Sequence, residues 1–216
     1  NSGDLSVTTD NNLNLIGGTV VNTGTLSGGQ VTVAAVPGQR RVRIDHPDML
    51  LSLEMLAASE NTPQLADAVS LSVLLNGGDV AIATGVDVDD TGRIWLLNSP
   101  VNTGDVAIAG NVTGDQVQLA AANQVTVVGD ATEIIRTHDG NHSAPIVTRF
   151  SADGTNANEL VFLDATVPEY TNLLYGTKAG TTTVAIPVSE NGIQRVTDIL
   201  SQVGAVDVID AIHIVS

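Results

Sequence analysis

The sequence predicts a mainly β chain. We expect a right-handed parallel β-helix, or solenoid, over residues 1–135 with an excursion at 37–77. A linker over 136–158 and a partial β-α-β-α-β parallel unit over 159–216 should follow. Three observations carry this. A short strand motif recurs between turn residues. The chain is 43% hydrophobic yet only 2% aromatic, so its core must be aliphatic, as stacked β-branched layers are. After Glu159 the pattern changes to strand and helix signals in alternation.

The motif is a Gly or Asn, a polar residue, then alternating apolar positions. It appears at Gly3-Asp4-Leu5-Ser6-Val7 and again at Gly29-Gln30-Val31-Thr32-Val33. Gly78-Asp79-Val80-Ala81-Ile82 and Gly104-Asp105-Val106-Ala107-Ile108 repeat it at the same offset. Further copies stand at Gly114–Leu119 and Asn123–Val127. Each reads as a short period-two strand, and the turn residues come too often for ordinary hairpins. Val31, Val33, Val80, Ile82, Val106, Ile108, Val125 and Val127 should therefore face inward as aliphatic ladders, since a slip of one residue would expose the whole set.

Residues 37–77 interrupt the motif. Pro37-Gly38 and His46-Pro47-Asp48 are turns, Arg41–Ile44 alternates as a strand, and Leu50–Leu56 is dense in apolar residues. A strand pair or lid beside the solenoid is the expectation. Beyond Glu159, Val161–Asp164 is a strand, Thr166 and Pro168 open a short helix that Gly176 closes, and Thr182–Pro187 is a second strand. Ser189 can cap a helix with an apolar face of Ile193, Val196, Leu200 and Val203, ended by Gly204. Val208–Val215 is the third strand.

Charge excludes some partners. The net charge is -16, from 24 acids against 8 bases, and Lys178 is the only lysine. Such a surface repels nucleic acid and anionic lipid. No segment reads as a membrane span, and insertion into a membrane is not expected. The chain has no Cys, which is compatible with export, and it opens at Asn1 without Met, as a processed or excised fragment would.

Asp87, Asp89 and Asp90, ahead of Gly92, alternate as the start of a calcium loop does, but Asn98 stands where a closing Glu would be. A solvated turn competes with calcium at this position. His138-Asp139-Gly140-Asn141-His142 clusters metal-capable groups without a third ligand nearby, and a polar turn competes there. His213 reads as a buried strand histidine. Arg40, Arg41 and Arg43 either pair with local carboxylates or form a docking patch for an acidic neighbour. No catalytic triad order, P-loop or dinucleotide fingerprint is present. A polysaccharide-active β-helix would need convergent acids and aromatic platforms, which five scattered aromatics do not supply.

Two resemblances add to this reading. Val33-Ala34-Ala35-Val36-Pro37-Gly38, Val42-Arg43-Ile44 and Leu50-Leu51-Ser52-Leu53-Glu54 resemble the C-terminal part of filamentous-haemagglutinin-like exoproteins, which leave bacteria by two-partner secretion. Glu159–Tyr170 and Asp210–Ser216 resemble the opening of an uncharacterised surface-protein domain, itself distantly similar to the caspase-type fold. In that family the last strand runs on into a His-Gly pair, whereas this sequence ends at Ser216 and has no cysteine nucleophile. The resemblances imply an extracellular, cell-surface location and no protease activity.

The expectation is a non-enzymatic structural module, with an adhesin for a cell surface or glycan as the alternative and a polysaccharide enzyme as the second. Both ends of the sequence cut strand patterns, so copies are expected to join head to tail into filaments. Ile212 and Ile214 would supply apolar contact at the joint, and Arg40, Arg41 and Arg43 would pair with acids across it.

Overall fold

The computed structural model describes residues 1–36, 41–44, 53–56, 85–88, 94–97, 101, 104–140, 144–150, 159–203 and 209–216. The chain is mainly β, and most of its strand pairs are parallel. The first group of strands is β1 (Asp4–Ser6), β2 (Asn12–Gly17), β3 (Val20–Asn22), β4 (Thr25–Ser27) and β5 (Gln30–Ala35). The second is β10 (Val106–Ile108), β11 (Val112–Thr113), β12 (Gln116–Ala121), β13 (Val125–Val127), β14 (Ile135–Arg136) and β15 (Ile146–Arg149). A short turn of helix, α1 (Ala131–Ile134), precedes β14.

These strands are shared among three sheets. β1, β4, β11 and β14 form one, β3, β10 and β13 a second, and β2, β5, β12 and β15 line up in a third. Along the chain the strands visit the sheets in one cyclic order, and β10 takes it up where β5 leaves it.

Register turns the sequence motif into ladders. Val31 lies between Leu13 and Val117, and Val33 between Leu15 and Leu119, with Val147 beyond. Val106 lies between Val20 and Val125. Leu26 lies between Leu5 and Val112, and Ile135 follows. Val31, Val33, Val106, Ile108 and Val125 are buried as expected, and Val127 is partly so. Val80 and Ile82 lie outside the described residues. Each ladder residue covers its equivalents in the neighbouring strands, so small aliphatic side chains suffice.

Glycine at the corners permits this spacing. A Cβ on Gly24 would collide with the carbonyl oxygen of Gly3, and one on Gly110 with that of Gly24. Asn22, fully buried beside this corner, is satisfied there. Its side-chain amide donates to Gly24 O at 3.0 Å, and its backbone oxygen accepts from Ala109 at 2.8 Å and Gly110 at 3.0 Å.

Asp4 lies opposite Thr25, whereas Gln30 pairs with Gln116, so the Gly3 and Gly29 motifs belong to different sheets. The motif is the same in all three sheets, and its recurrence therefore does not give the register. Two expectations are corrected, the first being the bound of the excursion at 77, since antiparallel strands also lie beyond it. Strands β6 (Arg41–Ile44) and β7 (Leu53–Leu56) form one antiparallel pair, and β8 (Gly85–Val88) and β9 (Ile94–Leu97) another. Finally, the span expected to be a linker contains β15, a full member of its sheet.

The remainder alternates as expected: β16 (Glu159–Asp164), α2 (Tyr170–Tyr175), β17 (Thr181–Ile186), α3 (Gly192–Val203) and β18 (Ala211–Val215). The strand order is β18-β16-β17 and both pairs are parallel. Strand β17 also pairs antiparallel with β15, which fuses this segment to the third sheet and makes it seven-stranded.

Candidate assembly surface

Each edge of the seven-stranded sheet is a different strand, β2 on one side and β18 on the other. Strand β18 pairs with β16, which buries Leu160 and Phe162 on one face and Leu163 on the other. Leu160 and Phe162 face the side covered by α3, where they cluster with Val184, Ile199, Val196, Leu200 and Ile186. In register, Ile212 stands opposite Leu160 and Ile214 opposite Phe162. These two isoleucines continue the buried rows outward, yet they are 47% and 70% exposed. The result is an apolar strip beside main-chain groups at a sheet edge, the arrangement that strand addition uses.

The helix beside the strip is fixed by its own start. Asn191 Oδ1 accepts from the backbone N–H groups of Ile193 at 3.1 Å and Gln194 at 3.2 Å, so Asn191 rather than Ser189 caps α3. Ile193, expected on the apolar face, is 82% exposed in the first turn, and Ile199 joins the core in its place. Helix α2 closes on Gly176, whose N–H donates to Asn172 O at 2.9 Å, as expected.

The opposite face of the same edge carries a polar cluster at one end. Glu159 Oε1 accepts from Lys178 Nζ at 2.8 Å, and its Oε2 lies 3.1 Å from His213 Nε2. The Lys178 ammonium, then His213, hold the Glu159 carboxyl below its usual range. His213 is therefore an exposed, paired residue, which corrects the expectation of burial. It sits on an edge strand, where one neighbour is missing and an apolar alternation does not imply cover. Asp164 is likewise held low, by the N–H and then the hydroxyl of Thr166, which fixes the turn into α2.

Arg41 and Arg43 lie in β6, where register sets Arg43 opposite Glu54, and Arg40 lies outside the described residues. Asp87 lies in β8 opposite Trp95, while Asp89 and Asp90 lie outside the described residues. His138 stands in a polar turn with Gly140 at φ +77°, and its Nδ1 is 3.2 Å from Asp115 Oδ1. Asp115 comes from the turn before β12, so the pairing follows from strand stacking and had no local signal. Among the described residues no three His, Asp or Glu side chains converge as a metal site would require. Among them, too, no helix is long and apolar enough to cross a membrane.

The sequence missed Glu159 and Lys178 as partners of His213, and Arg149 at the junction of β15 with β17. Burial lowers the Arg149 guanidinium and the Asp105 carboxylate opposes that shift, while its Nη1 donates to Thr177 O at 3.0 Å. No curated protein and no solved structure matches the chain. Residues 160–216 are similar to a family described as a domain of unknown function (DUF4347).

Proposed function

We propose that the chain is an extracellular structural module of a bacterial surface exoprotein, without enzymatic activity. In this reading the three parallel sheets are the faces of one right-handed β-helix, and copies associate head to tail through the β18 edge. The observation that carries it is the cyclic visiting of three sheets in register, with aliphatic ladders between successive strands. Such an arrangement makes a rod and needs no pocket. The exposed pair Ile212 and Ile214, on the last strand of the seven-stranded sheet, supports edge association. A net charge of -16 would keep rods apart laterally. The surface location is proposed from the sequence alone, on the resemblance of Val33–Gly38 and Leu50–Glu54 to filamentous-haemagglutinin-like exoproteins.

Sedimentation of the intact chain over a concentration series tests this. Assembly that grows with concentration, and that Ile214→Glu weakens at least several-fold, is expected. A monomer at the highest concentrations, or assembly indifferent to Ile214→Glu, would count against the edge. Incubation with peptide and polysaccharide substrates should give no turnover. Hydrolysis that survives repurification, and is lost on mutating one acidic pair, would overturn the non-enzymatic reading.

A further inference from the structure

We propose that the segment β16–α2–β17–α3–β18, the part similar to the domain of unknown function, acts as the cap of the parallel stack. It ends the ladder of coils and shields the last layer of their core. This rests on the reading of the three sheets as one winding rod.

The exposed end of such a rod is a problem for any solenoid, because its last layer has no successor to cover it. Here the last coil is β13, β14 and β15. Ile135 and Val147 belong to it and are nevertheless 0% exposed, whereas Leu5, in the first position of the Ile135 ladder, is 39% exposed. What covers the last layer is the α/β segment. A single core cluster runs from Val20 and Leu26 through Val147 into Leu163, Leu174 and Ala185, with Val167, Tyr170 and Tyr175 packed on it.

Strand pairing ends at the same place. Strand β17 runs antiparallel to β15, with Ile146 opposite Val184 and Arg149 opposite Thr181. The outer edge of β15 is thereby occupied, and the polarity that another parallel coil would need is reversed. The ladder itself changes character there. Ala35 and Ala121 occupy successive inward positions, and Arg149 follows them. Its Nη1 donates to Thr177 O at 3.0 Å, and its backbone oxygen accepts from Gly180 N–H at 2.8 Å. A row of buried alanines thus finishes in a side chain that reaches into the cap.

Hydrogen exchange on the intact chain tests the proposal. Leu174 is fully buried in the cap. Leu174→Ala should lower amide protection in β12 and β15 by the same factor as in β16 and β17, about 30-fold or more for such a truncation. Loss of protection confined to β16–β18, with β12 and β15 unchanged, would make the segment an independent domain and overturn the proposal. If the variant does not fold, the unaltered chain decides. Exchange with rising denaturant should give β15 and β17 amides one common opening free energy, and two separate energies would overturn the cap. A chain that sediments as a monomer would remove the edge-association reading and leave this test standing.

Discussion

The parallel stack and the α/β segment bury apolar surface by different means. In the stack each side chain is covered by its equivalent in the next strand, as Val106 is by Val20 and Val125. In the segment the cover comes from helices, as Phe162 and Leu160 are packed by Ile199, Val196 and Leu200 of α3. The stack can therefore do without rings, while the segment uses Phe162, its largest fully buried side chain. The stack is also the less local of the two. Val33 and its neighbour Leu119 lie on opposite sides of the interruption, and their contact closes a long loop. Damage in the stack should spread through successive layers, and damage in the segment should act through one helix.

The largest effect is expected where a ladder is charged in its middle. Val106→Asp places an unpaired carboxylate between two buried valines and should cost several kcal/mol, on the order of other buried-charge insertions. Denaturant unfolding will measure it, and an unchanged midpoint would rule out the ladder. Next is Phe162→Ala, which should cost about 3–5 kcal/mol as a large-to-small core truncation. A cost below that of an ordinary surface change would show that α3 does not cover this row. Gly110→Ala comes third. The added methyl meets Gly24's carbonyl oxygen across the corner, and overpacking of this kind costs about 1–3 kcal/mol. Equal stability of the alanine variant would mean that the strands stack less closely there.

The smallest effect is electrostatic. Glu159 is held low in the folded chain by Lys178 and His213. Its contribution is complete above the unfolded value of about 4.3 and is lost as pH falls through the folded value. The melting difference between the parent and Glu159→Gln should be present near neutral pH and shrink in the acid range. A difference that grows with acid would reverse the assignment. The cluster is at the surface, so the shift should be small.

How much the sequence disclosed follows the same contrast. Alternation at Val31–Val33 and Val106–Ile108 marked inward positions, because period two is a local signal. The order of strands and helices after Glu159 was legible for the same reason, down to Gly176 behind α2. Register was not, since the strand motif recurs in three sheets and does not say which copy meets which. Strand β15 was missed because Ile146-Val147-Thr148-Arg149 is short and its partners lie far off in the chain. The exposed His213 and the pairing of Asp115 with His138 were missed for a related reason. Both depend on which strand or turn lies alongside, and the residues on either side carry no trace of it.

The most direct test of the stack is a covalent one, and the absence of cysteine from the chain makes it clean. Thr32 and Gln118 face each other in register on adjacent parallel strands, on the side away from the ladder. Strands this close place paired residues within disulfide reach, whereas an offset of two residues exceeds the limit of about 7 Å. On mild oxidation of the folded protein, Thr32→Cys with Gln118→Cys should form an internal disulfide readily, and Thr32→Cys with Gln116→Cys should form little. Equal linkage in both pairs, or none in the first, would contradict the in-register stack.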